Sequence, residues 1–226
     1  MRVFFSAQHK SHSPKTFISK GKILESPEQP KRADILEKAA RLAGHDFIEA
    51  KKYGLKPVKS IHDAGYIHFL KTAWSIWKTT PDSGTEIIPN VHPGRNMNAS
   101  PNSIISLAGH YQADTACPIG EGTYEGIIAS SNVAVSGAYA IMNDIQNGNS
   151  KSFAYSLCRP PGHHAFADQA GGFCFFNNAA IAAQVCLDSG ARRVAILDVD
   201  VHHGNGTQGI FYHRSDVFTV SLHGDP

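Results

Sequence analysis

A chain of 226 residues is long enough to bury one sizeable core or two small ones, and 42% hydrophobic with 18% charged residues is the balance of a globular protein, not a disordered one. The formal net charge of +2 is too small to hold nucleic acid by charge alone, and no apolar run approaches the length needed to span a bilayer. The four cysteines, Cys117, Cys158, Cys174 and Cys186, form no CxxC pair, and the chain starts without a charged leader before an apolar stretch, so free, largely buried thiols in a soluble cytoplasmic protein are expected.

Residues 2–5, Arg-Val-Phe-Phe, read as a first strand, and the polar stretch 7–29 as a long loop. Pro30 stands where a helix can begin, and Ala33, Leu36, Ala40 and Ala43 follow at helical spacing until Gly44. A second helix is predicted over 62–78, with Tyr66, Phe69, Leu70, Ala73, Ile76 and Trp77 on one apolar face, which reads as core packing in preference to a cofactor box. The stretch 79–122, rich in Pro, Gly, Asn and Ser, then breaks the periodicity, and a loop of that length is usually functional or at an interface. Thr123 is placed as the cap of a helix reaching 147, with Tyr124, Ile127, Ile128, Val135, Ala138, Ile141 and Ile145 on its buried side. A buried strand over 153–157, a helix over 178–187 ended near Gly190, a buried strand over 193–199, a short helix over 207–212 and a strand over 217–222 complete the chain. Such alternation implies right-handed crossovers and an α/β fold: a single domain with a central parallel β-sheet flanked by helices on both faces. In sheets of this kind the binding crevice lies beyond the carboxyl ends of the strands, where both chemically loaded segments fall.

The first of these segments is Asp198-Val199-Asp200-Val201-His202-His203-Gly204. Alternation along a strand sends Asp198, Asp200 and His202 to one side and the two valines to the other. Two carboxylates and an imidazole leaving a hydrophobic strand together are costly unless paired, and a divalent cation pairs them. Carboxylate oxygen and imidazole nitrogen suit zinc, and Fe(II), Co(II) or Mn(II) are also accommodated. A single Asp at a strand end would read as a helix cap; the alternating set followed by His-Gly-Asn-Gly reads as a metal site. In the second segment, Arg159-Pro160-Pro161-Gly162-His163-His164, two prolines fix the backbone and deliver adjacent histidines, the side chain suited to moving protons near neutral pH. Gly171-Gly172-Phe173-Cys174-Phe175 follows, where backbone can approach a ligand and Phe173 can wall a narrow slot, ahead of a helix cap at Asn177; a turn with a core aromatic is the plainer alternative.

Taken in order, Arg-Pro-Pro-Gly-His-His, Gly-Gly-Phe-Cys-Phe-Phe-Asn-Asn, Asp-Val-Asp-Val-His-His-Gly-Asn-Gly-Thr and Ser221-Leu222-His223 resemble the histone deacetylase superfamily over residues 150–226. The first ten residues and His62-Asp63-Ala64-Gly65-Tyr66 share that resemblance, and Ser-Leu-His-Gly-Asp-Pro is similar to its bacterial acetylpolyamine amidohydrolase branch. The resemblance implies a zinc-dependent deacetylase with Asp200 and His202 as zinc ligands and His163 and His164 as the catalytic pair, His164 acting as general base and then acid. It implies that Asp198 pairs with His163 and shares a structural potassium site with Ser221, Leu222 and the backbone of Asp200 and His202. A second potassium site would use carbonyls of Phe211, Arg214 and Val217. Phe173 would wall the acyl channel and Gly172 would offer backbone to the substrate.

The superfamily's third zinc ligand, an aspartate, and its oxyanion-stabilising tyrosine have no counterpart here, because Asp225 lies too close to the last strand and Tyr212 is on the wrong segment. A catalytic zinc normally has three protein ligands, so residues 1–226 are expected to be an incomplete deacetylase domain, truncated at the C-terminus. The expected reaction of the intact protein is metal-assisted hydrolysis of an acetylated primary amine to acetate and free amine. The alternatives are an inactive acyl-amine binding module and an arginase-like ureohydrolase, which needs two manganese ions and more carboxylates at the strand ends. A homodimer through the 79–122 insertion is expected, with a small acetylated amine as substrate and neither nucleic acid nor membrane as partner.

Overall fold

The computed structural model describes residues 1–94, 97, 99 and 101–225. The chain runs β1 (Arg2–Phe5), a 3-10 turn (Ala7–Ser11), β2 (Thr16–Ser19), β3 (Lys22–Glu25), α1 (Lys31–Leu42), β4 (Asp46–Glu49), the single turn α2 (Lys56–Lys59), α3 (Ala64–Trp77), α4 (Ile104–Tyr111) and α5 (Thr123–Gln146). It continues through β5 (Ala154–Ser156), α6 (Asn178–Asp188), β6 (Val194–Asp198), α7 (Asn205–Phe211) and β7 (Val217–Ser221). The α/β class and the parallel pairing agree with the sequence pattern. β1 lies between β4 and β5 in one parallel ladder, and β6 pairs with β7 in another, Asp198 opposite Ser221.

Among the described residues the parallel strands form these two ladders and not one continuous sheet. The edges of β5 and β6 border an open cleft of about 450 Å³, floored by small residues of α5 and α6 such as Gly137, Ala138, Ala182 and Ala183. For that reason the strands expected to be buried are half-buried at β5 and alternate at β6, where Leu197 is 62% exposed. The core itself lies around α3, α5 and α6, where Tyr66, Phe69, Leu70, Ile127, Phe175, Phe176 and Ile181 pack together. α5 is buried from Thr123 to Ala138 at most positions, and its small residues let neighbours approach its backbone: a Cβ at Gly137 would fall 2.2 Å from Ser156 Oγ.

Three expectations need correction. The stretch 7–29 is not a loop: it holds the 3-10 turn and an antiparallel hairpin of β2 and β3. Lys20 (φ 50°) and Gly21 (φ 73°) are both left-handed, the conformation that a two-residue hairpin turn needs. The insertion 79–122 contains α4, started by Ser103 Oγ accepting from Ser106 N–H at 3.2 Å, and is closed by paired backbone bonds between Ile87 and Ile119. Thr123 is inside α5, not its cap; Gly122 holds that place, and Thr123 Oγ1 accepts from Gly120 N–H at 3.0 Å and meets His12 Nδ1 at 3.1 Å. β4 is an element that the sequence pattern did not signal.

Asp63 caps α3 by accepting from Gly65 and Tyr66 N–H, and the preceding His62 ties that cap to the start of α6. His62 Nε2 accepts from the buried Asn177 N–H at 2.9 Å, and Nδ1–H donates to Ala167 O at 3.2 Å. The ring is therefore neutral, and burial, partly offset by bonds to backbone oxygens, pushes its pKa down to about 4. The unfolded chain takes up this proton below about 6.5 and the folded chain does so only near 4, so stability falls as pH drops through that window. His62→Leu should lower the unfolding free energy at pH 7 by about 1–3 kcal/mol, by orphaning the Asn177 N–H. It should also flatten the decline on the acid side; urea titrations giving the two proteins equal acid slopes would contradict this.

Candidate active site

The histidine pair leaves β5 on a loop whose root is locked in the interior. Arg159 is 3% exposed and its guanidinium donates to Glu28 Oε1 through Nε at 3.1 Å and to His9 O through Nη1 at 2.8 Å. Its Nη2 lies 2.8 Å from Glu28 Oε2. Beyond it, His163 and His164 stack with ring centroids 4.0 Å apart. Their backbone is held by the first turn of α7: Thr207 N–H donates to His163 O at 3.1 Å, and a Cβ at Gly206 would strike Ala165 O at 2.4 Å, so only glycine allows α7 to lie this close.

The two rings have different partners. His163 Nδ1 pairs with Asp198 Oδ2 at 2.9 Å, and His164 Nδ1 with Asn205 Oδ1 at 2.8 Å. Asn205 Oδ1 also accepts from Gly206 N–H at 3.0 Å, which fixes the amide with its oxygen toward His164. His164 Nδ1 must then be the donor, leaving the Nε2 lone pair free. Burial first, and then the neighbouring rings of His163 and His202, hold His164 below the usual histidine pKa, against the opposing Asn205 bond and Asp200 charge. Asn205 was missed in the sequence reading although its signal was present: it is the polar residue of His-Gly-Asn-Gly at the start of α7.

Asp198, Asp200 and His202 leave the end of β6 as a series of tight turns. Asp198 Oδ1 accepts from Asp200 N–H at 3.1 Å, and Asp200 Oδ1 accepts from His202 N–H at 2.7 Å while lying 3.0 Å from His202 Nδ1. Burial alone would raise the Asp200 pKa, but the backbone and ring bonds of His202, with the charges of His163 and His202, lower it, so the carboxylate is ionised. A carboxylate oxygen and an imidazole nitrogen 3.0 Å apart fit as neighbouring ligands of one divalent cation with bonds of about 2.0–2.2 Å. They are half of a ligand set: among the described residues no group of three or more His, Cys, Asp or Glu converges on such a site. The Asp200 side chain is 50% exposed and that of His202 71%.

Asp198 and Ser221 border a void of about 50 Å³ together with Gly204 and Thr207. Ser221 Oγ accepts from Gly204 N–H at 3.3 Å, and Leu222 N–H donates to Asp198 O at 2.9 Å, while the Leu222 side chain is exposed. Phe211, Arg214 and Val217 fall together on the connection from α7 to β7, where Arg214 N–H donates to Phe211 O at 2.9 Å and its guanidinium covers the Phe211 ring.

Gly172 (φ 52°) and Phe173 (φ 70°) are both left-handed, a conformation that Phe adopts rarely. A Cβ at Gly172 would fall 2.2 Å from His164 Cδ2, so this backbone abuts the histidine ring. Gly172 N–H donates to Asp114 Oδ2 at 2.9 Å, and Gly171 and Cys174 exchange two backbone bonds that pin the turn. His163, His164, Gly172, Phe173, Asp200 and His202 all line one cavity of about 970 Å³. The cysteines are free, Cys117 and Cys174 buried, Cys158 and Cys186 half-buried, and no helix among the described residues is long and apolar enough to cross a membrane.

The chain is similar to known proteins over its whole length. Over 227 residues the chain is 46% identical to the acetylpolyamine amidohydrolase of Mycoplana ramosa, and over 228 residues 44% identical to acetylpolyamine amidohydrolase 2 of Pseudomonas aeruginosa. The whole chain is covered in both alignments, but it spans only 65% and 64% of those relatives. A crystal structure of the acetylpolyamine aminohydrolase from Burkholderia pseudomallei superposes with a TM-score of 0.92 at 42% identity, again over all of this chain and 64% of that one. The histone deacetylase domain pattern matches residues 26–226, nearly the entire length, and the chain belongs to the histone deacetylase family.

Proposed function

We propose that the intact protein is a zinc-dependent amide hydrolase that removes acetyl groups from primary amines (acetylated polyamines, diamines or acetyl-lysine) to give acetate and the free amine. The observation that carries this is the meeting, in one cavity, of a histidine with a free Nε2 lone pair and the paired metal-type donors of Asp200 and His202. The names of the aligned relatives support the same reaction class.

Asp200 and His202 would hold zinc, with Fe(II) or Co(II) as substitutes, and the cation when bound supplies a Lewis acid for the amide carbonyl. His164 takes the proton of the attacking water on Nε2, because Asn205 commits Nδ1 to donation. The Asp198 carboxylate orients His163 through Nδ1. One of the two histidines then returns a proton to the leaving amine. Phe173 walls the channel and Gly172 offers backbone, its N–H committed to Asp114 and its carbonyl facing a weak thiol donor in Cys174.

The void beside Asp198 and Ser221, with Leu222 and the backbone of Asp200 and His202, is the proposed potassium site behind the metal donors, and the Phe211, Arg214 and Val217 carbonyls the second. We also propose a cytoplasmic homodimer that uses the 79–122 insertion. Between Glu86 and Asp114 that insertion has no acid, while it holds His92, His110 and Arg95, the last outside the described residues. The absence of carboxylates supports use of a range of acetylated amines over strict selection of long polyamines.

In the intact protein, Asp200→Ala and His202→Ala should each lose zinc and turnover together, and full zinc occupancy by metal analysis in either variant would remove that residue from the ligand set. His164→Ala should keep zinc and fold but lose about 10²–10⁴-fold in kcat, the usual contribution of a positioned base. Asn205→Ala should retain zinc and lower kcat by about 10–100-fold, as loss of an outer partner does, with the acid limb of the pH–rate profile displaced. A wild-type profile in that variant would show that Asn205 does not set the His164 tautomer.

A further inference from the structure

We infer that Phe17, on the β2–β3 hairpin, extends the aromatic wall begun by Phe173 and makes this site select acetylated amines with a flat, apolar outer part over long polycations. The inference rests on the deacetylase reading and names the substrate class within it. The Phe17 and Phe173 rings have centroids 5.7 Å apart and planes inclined at 43°. At that distance the rings touch, so no alkyl chain passes between them; they form one continuous surface along one side of the cavity. Phe17 lines the same 970 Å³ cavity as His164, Asp200 and His202, and it is half-buried there while the next residue, Ile18, turns outward.

Both parts of this wall are held firmly. Immediately before Phe17, the N–H groups of Lys15 and Thr16 donate to the two oxygens of the buried Glu86 carboxylate at 2.8 and 2.9 Å, which fastens the base of the hairpin to the interior. Ser26 N–H ties the second strand to the same base, donating to Lys15 O at 2.9 Å. On the opposite member, Phe173 is fixed at φ 70° by the Gly171–Cys174 pairing and the Asp114 bond to Gly172. A wall made of two rigid pieces imposes a shape on the ligand instead of adapting to it.

The charges around the cavity point the same way. Its lining includes two carboxylates, Asp198 and Asp200, and both are engaged by His163 and His202. Among the described residues, the other charged group in the lining is the Arg32 guanidinium, which shares Glu28 with Arg159, two cations on one carboxylate. Lys15, Lys20 and Lys22 add positive charge along the hairpin, against Glu25 alone. An ammonium-rich chain would meet like charge here, whereas an aromatic or aliphatic group gains contact with Phe17 and Phe173. An aromatic face also attracts cations weakly, so the test must separate ring area from ring charge.

The experiment compares kcat/KM of the intact, zinc-loaded protein for an acetyl-lysine with an aromatic amide cap and for a monoacetylated long polyamine. The aromatic-capped substrate is expected to lead by about tenfold or more, within the range that apolar contacts supply. Phe17→Ala should reduce that lead by about tenfold, Phe17→Leu should retain most of it, and Phe17→Glu should invert it. A wild-type preference for the polyamine, or an unaltered substrate ratio in both Phe17→Ala and Phe17→Leu, overturns the inference and leaves the deacetylase reading standing. Absence of turnover with either substrate in the wild-type protein rejects the deacetylase reading itself. Since the readout is a ratio of two substrates, partial loss of folded protein in any variant does not move it.

Discussion

A guanidinium taken out of water must be matched by acceptors, and Arg159 finds them only because two distant pieces of chain converge on it. Glu28 accepts through Oε1 and its own carbonyl, with Oε2 at ion-pair distance, and His9 supplies a second carbonyl. Burial pushes the Arg159 pKa down and the Glu28 pKa up, and the attraction between them opposes both shifts. Removing one member of such a pair costs about 3–5 kcal/mol, chiefly because the other charge is left buried without a partner. The pair sits at the root of the loop that carries His163 and His164, so the position of the histidines depends on the segment before α1. The polar N-terminal stretch is thus part of the site's foundation, with its hairpin forming a wall above and its Glu28 an anchor below.

From that anchored loop, the chemistry follows from a difference between two nearly identical side chains. The two imidazoles lie 4.0 Å apart, tilted at 43°, and their hydrogen-bond partners set them apart. A carboxylate faces His163, whereas a neutral amide with a fixed orientation faces His164. The pair is therefore differentiated before any substrate arrives: Asp198 orients His163, and Asn205 leaves the His164 Nε2 lone pair free to accept a proton. α7 enforces this asymmetry physically: its first residue supplies Asn205, its glycine permits the close approach, and Thr207 N–H holds the His163 carbonyl.

The parts of this arrangement that were legible in the sequence are those whose signal is local. The Asp198, Asp200 and His202 cluster was visible as a donor set although turns beyond β6, not strand alternation, present it; Asn177 does cap α6, and the helices α1, α3 and α6 follow from periodicity. The hairpin was overlooked because lysines and serines dilute its alternation, although Lys20-Gly21 between Thr-Phe-Ile-Ser and Lys-Ile-Leu-Glu was the available cue. α4 was overlooked because Gly and Pro on either side masked eight residues whose Ile104, Leu107, Ala108 and Tyr111 keep helical spacing. What no local pattern carries is tertiary pairing: that Glu28 finds Arg159, that Glu86 receives the hairpin, and that Phe17 reaches Phe173. Burial of β5 and β6 was overestimated on the same ground, since an apolar run reports a tendency to be covered and not the presence of the cover.

The two parallel ladders raise a last question of rigidity, because the proton acceptor belongs to one and the metal-type donors to the other. No backbone pairing joins β5 to β6 among the described residues, so sheet hydrogen bonds do not set the distance between His164 and Asp200. The joint is made by the His163–Asp198, His164–Asn205 and Thr207–His163 bonds, backed by the buried Asn177-Asn178 pair at the head of α6. Asn177 Nδ2 donates to Ala165 O, just after the histidines, and to Thr207 Oγ1 on α7, each at 3.0 Å, while Oδ1 accepts from Ala180 N–H at the same distance. Asn178 Nδ2 donates to Pro160 O at 3.1 Å and to Ser130 Oγ on α5 at 2.9 Å. A handful of fully buried amide bonds, strong in a low dielectric and costly to break singly, thereby fixes the histidine loop against the helix that follows the metal-type donors. Precision at this site comes from side-chain and loop bonds, with the head of α6 as a bracket behind them, across two strands that share no backbone pairing among the described residues.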